Sequence, residues 1–253
     1  MTERITYSDV KASFNRNTRD PATMMYFGRP IADVITAGFF NRGWTANGVT
    51  YLCMVLSTIA LALLLAANPY LYAVSAALYY CVFVLDCVDG NLARLRNAAS
   101  YYGKFMDGLS DGIFAFLAPI AVGLGLYWFD PVGPWLLLGT LATVCSLIAQ
   151  MVRARYSFFR EWAVREGGAL TEDEKTRTAA PLRLDRYGSV LVVNGNFVAP
   201  LILAVPYFGP RAYLIWSAVF HSAAGILFVT AAVWQGSIVL RRHRNSVRAA
   251  SNV

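Results

Sequence analysis

Six stretches of about 17–29 residues in this chain are almost wholly apolar, and each is long enough to cross a bilayer, which takes roughly 20 residues. They run Tyr51–Ala67, Tyr70–Val88, Phe105–Phe129, Val132–Val152, Tyr187–Phe208 and Ala212–Leu240. A lipid environment leaves the backbone only helices or closed barrels. Runs this long and unbroken are helical, not ten-residue alternating strands. The expected fold is therefore all-α, a polytopic six-helix membrane domain. Composition agrees: 57% of residues are hydrophobic and 15% charged, against about a quarter charged in soluble domains. That balance excludes a soluble enzyme, a disordered chain and a disulfide scaffold. Cys53, Cys81, Cys87 and Cys145 all sit inside apolar stretches without CxxC spacing, so they build neither disulfides nor a zinc site.

The net charge of +7 finds its explanation in topology, not in nucleic acid. Of the 22 basic residues, all but Arg211 fall in segments that six spans place on one side: the N-terminal arm, the turn after span two, the segment after span four and the tail. Basic residues gather in cytoplasmic loops, so both termini are expected in the cytoplasm. Three regions follow: a cytoplasmic arm at 1–46, a six-helix transmembrane domain at 47–240 and a basic cytoplasmic tail at 241–253. Within the arm, Pro30–Phe40 reads as a helix with Ile31, Val34, Ile35 and Phe39 on one face. It suits a helix lying on the membrane surface, or one packed against the bundle. The mixed-charge stretch 167–186 reads as a solvated connector with no chemistry.

The chemistry concentrates in Asp86–Asp111. Asp86 and Asp89 are three apart, and Asp107 and Asp111 four apart, so each pair shares a helix face. A carboxylate inside a membrane costs roughly 2.5–3.5 kcal/mol, so four of them need cations or water. An antiparallel pair of spans joined by a short turn can bring all four together. Oxygen donors without nearby His or Cys suit Mg²⁺ or Mn²⁺ rather than zinc. Gly90, Ala93 and Gly103 would let a phosphate approach closely; helix packing is the other use for small residues, and Gly108 and Gly112 form a GxxxG pair. Arg94, one turn past Gly90, can clamp a phosphate, pair with an Asp or reach the membrane surface.

The run Asp86-x2-Asp89-Gly90-x2-Ala93-Arg94-x8-Gly103-x3-Asp107-x3-Asp111 resembles the signature of the CDP-alcohol phosphotransferase family at every signature position. In look it is closest to the phosphatidylinositol phosphate synthase-like and di-inositol-phosphate synthase-like members. The resemblance implies a membrane transferase that moves a phosphoalcohol group from a CDP-alcohol, such as CDP-diacylglycerol, to an acceptor hydroxyl and releases CMP. It implies two divalent ions held by Asp86, Asp89, Asp107 and Asp111, with Asp111 also as general base. Asn47 and Thr50 match the polar positions of the family's Pro-Asn-x-x-Thr element, although Ala46 stands where the proline would be. With Gly90, Ala93, Arg94 and Gly103 they would bind the nucleotide; a plain helix cap is the other role for Asn47 and Thr50.

Arg153, Arg155 and Lys104 are acceptor-phosphate candidates. Two Arg at i, i+2 diverge on a helix, so at most one faces a pocket; anchoring to anionic lipid is their other use. His221, mid-span, reads as a satisfied core residue, and His243 lies in the tail. The resemblance also implies a homodimer. Two other readings stand beside this one: a family member with a CDP-activated polar alcohol as donor, and a divalent-cation transporter using the same carboxylates.

Overall fold

The structure, a computed structural model, describes residues 4–13, 26, 28–166 and 194–250. Among these every regular element is helical. A short helix α1 (Tyr7–Ala12) and α2 (Arg29–Asn41) precede the long helices α3 (Ala46–Leu64), α4 (Pro69–Leu95), α5 (Tyr101–Phe129) and α6 (Trp135–Glu166). A π-helical turn at Asn194–Val198 leads into α7 (Ala199–Leu203), and α8 (Gly209–Ala250) closes the chain. Among the described residues, five helical segments are long and apolar enough to span a membrane: Ala46–Leu64, Pro69–Leu95, Phe105–Phe129, Trp135–Tyr156 and Gly209–Trp234.

The expected fifth span, Tyr187–Phe208, is described only from residue 194 onward. That part holds the five-residue π-helical turn, five-residue α7 and a turn with Tyr207 at φ 63°. The π-helical turn passes directly into α7, with Pro200 in its first turn, and Pro206 falls in the turn at 204–208 before α8. The connector at 167–186 lies outside the described residues. The basic tail continues α8 as helix to Ala250. At about 1.5 Å per residue, α8 is roughly 63 Å long, more than the roughly 45 Å of a whole bilayer, so one end projects.

The helix starts are written locally. Thr45, Asn68 and Ser100 cap α3, α4 and α5, each accepting a backbone N–H of the first turn. Pro69 occupies the first turn of α4, where its missing N–H costs nothing. One buried cluster (Leu64, Tyr72, Tyr79, Phe114, Val122, Leu203 and Leu214 among its members) fills the bundle, with Tyr79 and Phe114 stacked at 4.0 Å. A second, built on Ala32, Val49, Val82, Phe83, Val88 and Leu92, joins α2, α3 and α4. At the α5–α6 crossing, a Cβ on Gly139 would stand 2.5 Å from the Pro119 carbonyl oxygen, so only glycine permits that approach.

Helix α2 meets the expected Pro30–Phe40 within a residue at each end. Its fully buried residues are Ala32 and Thr36, which face α4, while Ile35 and Phe39 are half-buried against the second cluster. Ile31 and Val34 point outward. The face that docks is thus the small, polar-edged one, because it is the one that fits closely against α4.

Candidate functional site

Helix α4 ends, and α5 begins, at the site. The C-terminus of α4 is closed by two reverse bonds, Ala98 N–H to the Ala93 carbonyl (2.9 Å) and Asn97 N–H to the Arg94 carbonyl (3.1 Å), with Asn97 in the left-handed region at φ 48°. Ser100 then starts α5 by accepting from Gly103 N–H at 3.0 Å. This turn fixes the register of the two acidic pairs. It brings carboxylate oxygens of Asp86, Asp89 and Asp107 within 4.8 Å of one another. Three like charges at that spacing repel by roughly 3.5 kcal/mol per pair at an effective dielectric of 20, and a shared divalent cation is the chemical complement of such an all-oxygen donor set. Asp111 lies on α5 one turn after Asp107; its side chain, like that of Lys104, lies outside the described residues.

Asp89 is buried, and the Thr50 hydroxyl of α3 donates to its Oδ2 at 2.7 Å. That bond orients the carboxylate within the cluster. The sequence placed Thr50 toward the nucleotide; in the structure its hydroxyl is given to Asp89.

Two cavities adjoin the carboxylates. One, of about 330 Å³, is walled by Asn47, Thr50, Asp89, Gly90, Ala93, Arg94, Gly103 and Asp107, together with Arg29 and Ser100. It therefore gathers all six residues that the sequence grouped as nucleotide-binding. The second, of about 230 Å³, runs inside the bundle. Its polar lining is Ser110, Ser146, Gln150, Arg153, Asn194 and His221, interleaved with Tyr79, Phe83, Phe114 and Tyr213. Asp86 lines both. Ala76 and Asp86, ten residues apart on α4, both line the second cavity. At about 1.5 Å per residue it extends roughly 15 Å along the helix, about half the hydrocarbon thickness.

Arg153 lines that second cavity and Arg155 does not, as their divergence on α6 requires. His221 lines it too, edge-on to Phe220 at 5.4 Å. Asn194 accepts from Trp216 Nε1 at 2.6 Å, which fixes its amide at the cavity wall. The sequence does carry a signal for this lining: Ser146, Gln150 and Arg153 fall at i, i+4 and i+7, a polar stripe on an otherwise apolar span. Among the described residues no heavy atom lies within 4 Å of a Cβ added to Gly108. Cys87 is buried beside the motif and belongs to the second apolar cluster.

Residues 44–223 match the family model described as CDP-alcohol phosphatidyltransferase. The match takes in both acidic pairs and every residue named above for the two cavities except Arg29. A search of curated proteins found no match to the chain. The family is typically divalent-cation dependent, and the carboxylate cluster has the donor set for such an ion. With well over half of its length matched, and with the clustered carboxylates inside the matched part, the chain belongs to the CDP-alcohol phosphatidyltransferase family, membrane phosphotransferases that move a phosphoalcohol group from a CDP-alcohol in lipid synthesis.

Proposed function

We propose that the enzyme transfers a phosphatidyl group from CDP-diacylglycerol to the hydroxyl of a polar acceptor, a polyol or inositol phosphate, and releases CMP. The observation that carries this reading is that Asp86 walls both cavities, so the carboxylates stand between two separate binding spaces. The larger one offers Arg94, Asn47 and close-approach glycines to a nucleotide. The other offers Gln150, Ser146, Asn194 and Arg153 to a hydroxylated acceptor with one anionic group. The wall is mostly apolar, and the charged Arg153 with these hydrogen-bonding groups beside it supports a polar acceptor, and so CDP-diacylglycerol as donor.

The acceptor oxygen bonds to the phosphorus that carries the alcohol. The pyrophosphate bond breaks and its electron pair leaves on CMP. Asp111 takes the acceptor's proton. Asp86, Asp89, Asp107 and Asp111 would hold two divalent ions, Mg²⁺ or Mn²⁺, which when bound neutralise phosphate charge and polarise the reacting phosphorus. Thr50 keeps Asp89 oriented, and Arg94 draws the donor's phosphates toward the cluster. The excess of basic residues on one side of the spans supports a cytoplasmic active site and cytoplasmic termini. The outward-facing Gly108 is compatible with the homodimer in this reading.

The test is CMP release by purified protein in detergent with Mg²⁺ or Mn²⁺, CDP-diacylglycerol and a panel of inositol phosphate, inositol, glycerol phosphate and serine. Release that requires one acceptor and is lost in Asp111→Asn is expected. Release from a CDP-activated polar alcohol instead would overturn the choice of donor.

A further inference from the structure

Asn91 sits between Gly90 and Ala93, at a position the acidic signature leaves open. It is 2% exposed, and a buried carboxamide needs partners at both ends. Its Nδ2 donates to Asp33 Oδ1 at 2.9 Å and to Thr36 Oγ1 at 3.1 Å, both on α2. Its Oδ1 accepts from Nη1 of Arg29, on α2, at 3.2 Å and from Nη2 of Arg94, on α4. One carboxamide therefore fastens α2 to α4 and holds a guanidinium from each.

Both guanidinium-bearing residues line the larger cavity. The chain entering α2 is pressed onto α4: a Cβ on Gly28 would stand 2.9 Å from the Phe83 ring. This fixes where Arg29 begins. The amide oxygen orients the two guanidiniums and, being neutral, does not itself neutralise either. Two planar cationic forks set at one cavity wall are the recognition elements for adjacent phosphate groups.

We infer that α2 is a working wall of the donor site: Arg29 binds the donor's phosphates beside Arg94, and Asn91 is the positioning residue for both. This rests on reading the larger cavity as the donor site. Arg29 stands outside the stretch matched by the family model, so it is a contribution of this chain's N-terminal arm.

The test is calorimetric binding of CDP to the full chain in detergent with Mg²⁺, with cytidine measured by competition. Wild type is expected to bind CDP. Arg29→Gln is expected to weaken CDP by about tenfold or more, the worth of a charge-assisted contact, and to change cytidine, which has no phosphate, less than about twofold. Asn91→Ser is expected to weaken CDP too, and the double variant is expected to lose less than the product of the two losses. If Arg29→Gln does not fold, Arg29→Lys carries the test, because it keeps the charge and loses the fork. Unchanged CDP affinity in Arg29→Gln would overturn the inference and leave the donor-site reading standing. Equal losses for CDP and cytidine would overturn the phosphate role and mark Arg29 as structural. Wild type that binds no CDP would overturn both.

Discussion

Replacing Thr50 with Val removes one hydroxyl from beside Asp89 and little else. The hydroxyl lies 2.7 Å from Asp89 Oδ2 and 3.2 Å from the Ala46 carbonyl. It has one proton, and the shorter contact to the charged acceptor holds it. Hydrogen bonds to charged groups are worth about 1.5–3 kcal/mol. At about 1.4 kcal/mol per factor of ten, losing that orientation should weaken apparent metal affinity roughly 10- to 100-fold, the range seen for residues that orient metal ligands. The assay is a Mn²⁺ titration of CMP release, paired with Mn²⁺-dependent thermal stabilisation of the purified protein. Thr50→Val should shift both midpoints upward, with the KM for the CDP-alcohol measured at saturating metal nearly unchanged. Thr50→Ser should restore both midpoints. Thr50→Val with unchanged metal midpoints and a raised donor KM would refute this reasoning and return Thr50 to the nucleotide.

Three further outcomes follow from the same geometry. Divalent ion at about 100 times its Kd should stabilise the protein by about 2.7 kcal/mol, or roughly 5–10 °C in Tm; Asp107→Asn should abolish that gain, and chelator should remove it from wild type, both read by thermal unfolding. Arg153→Gln should raise the acceptor KM about tenfold while Arg155→Gln stays within about twofold, because only Arg153 lines the inner cavity; steady-state kinetics with each variant separates them. Asn97→Val should cost about 1–2 kcal/mol by forcing a branched side chain to φ 48°, whereas Asn97→Gly should be neutral; melting temperatures decide.

The carboxylate cluster was legible before any coordinates because each half of it is local. Asp86 and Asp89 share a face, as do Asp107 and Asp111, by helical period alone, and the short turn between the spans leaves their helices antiparallel neighbours. The helix caps at Thr45, Asn68 and Ser100 come from the structure, which puts the start of α3 at Ala46 and the cap at Thr45, not at Asn47 or Thr50. The polar stripe of Ser146, Gln150 and Arg153 is local too, by helical period on α6. The fifth expected span is described only from residue 194 onward, where a π-helical turn passes directly into α7.

By itself, then, the sequence determined an all-α membrane protein with an acidic site at the junction of two spans, because bilayer thickness and helical period act on neighbouring residues. Tertiary structure alone decided that Thr50 serves Asp89, that Asp86 walls two cavities, and that Arg29 and Arg94 meet on Asn91. The partners in these contacts are 39, 62 and 3 residues apart. Only the last spacing is helical, and no periodicity links α2 or α3 to α4. Their meeting depends on which helix faces pack, and that is set by side-chain fit across the whole bundle.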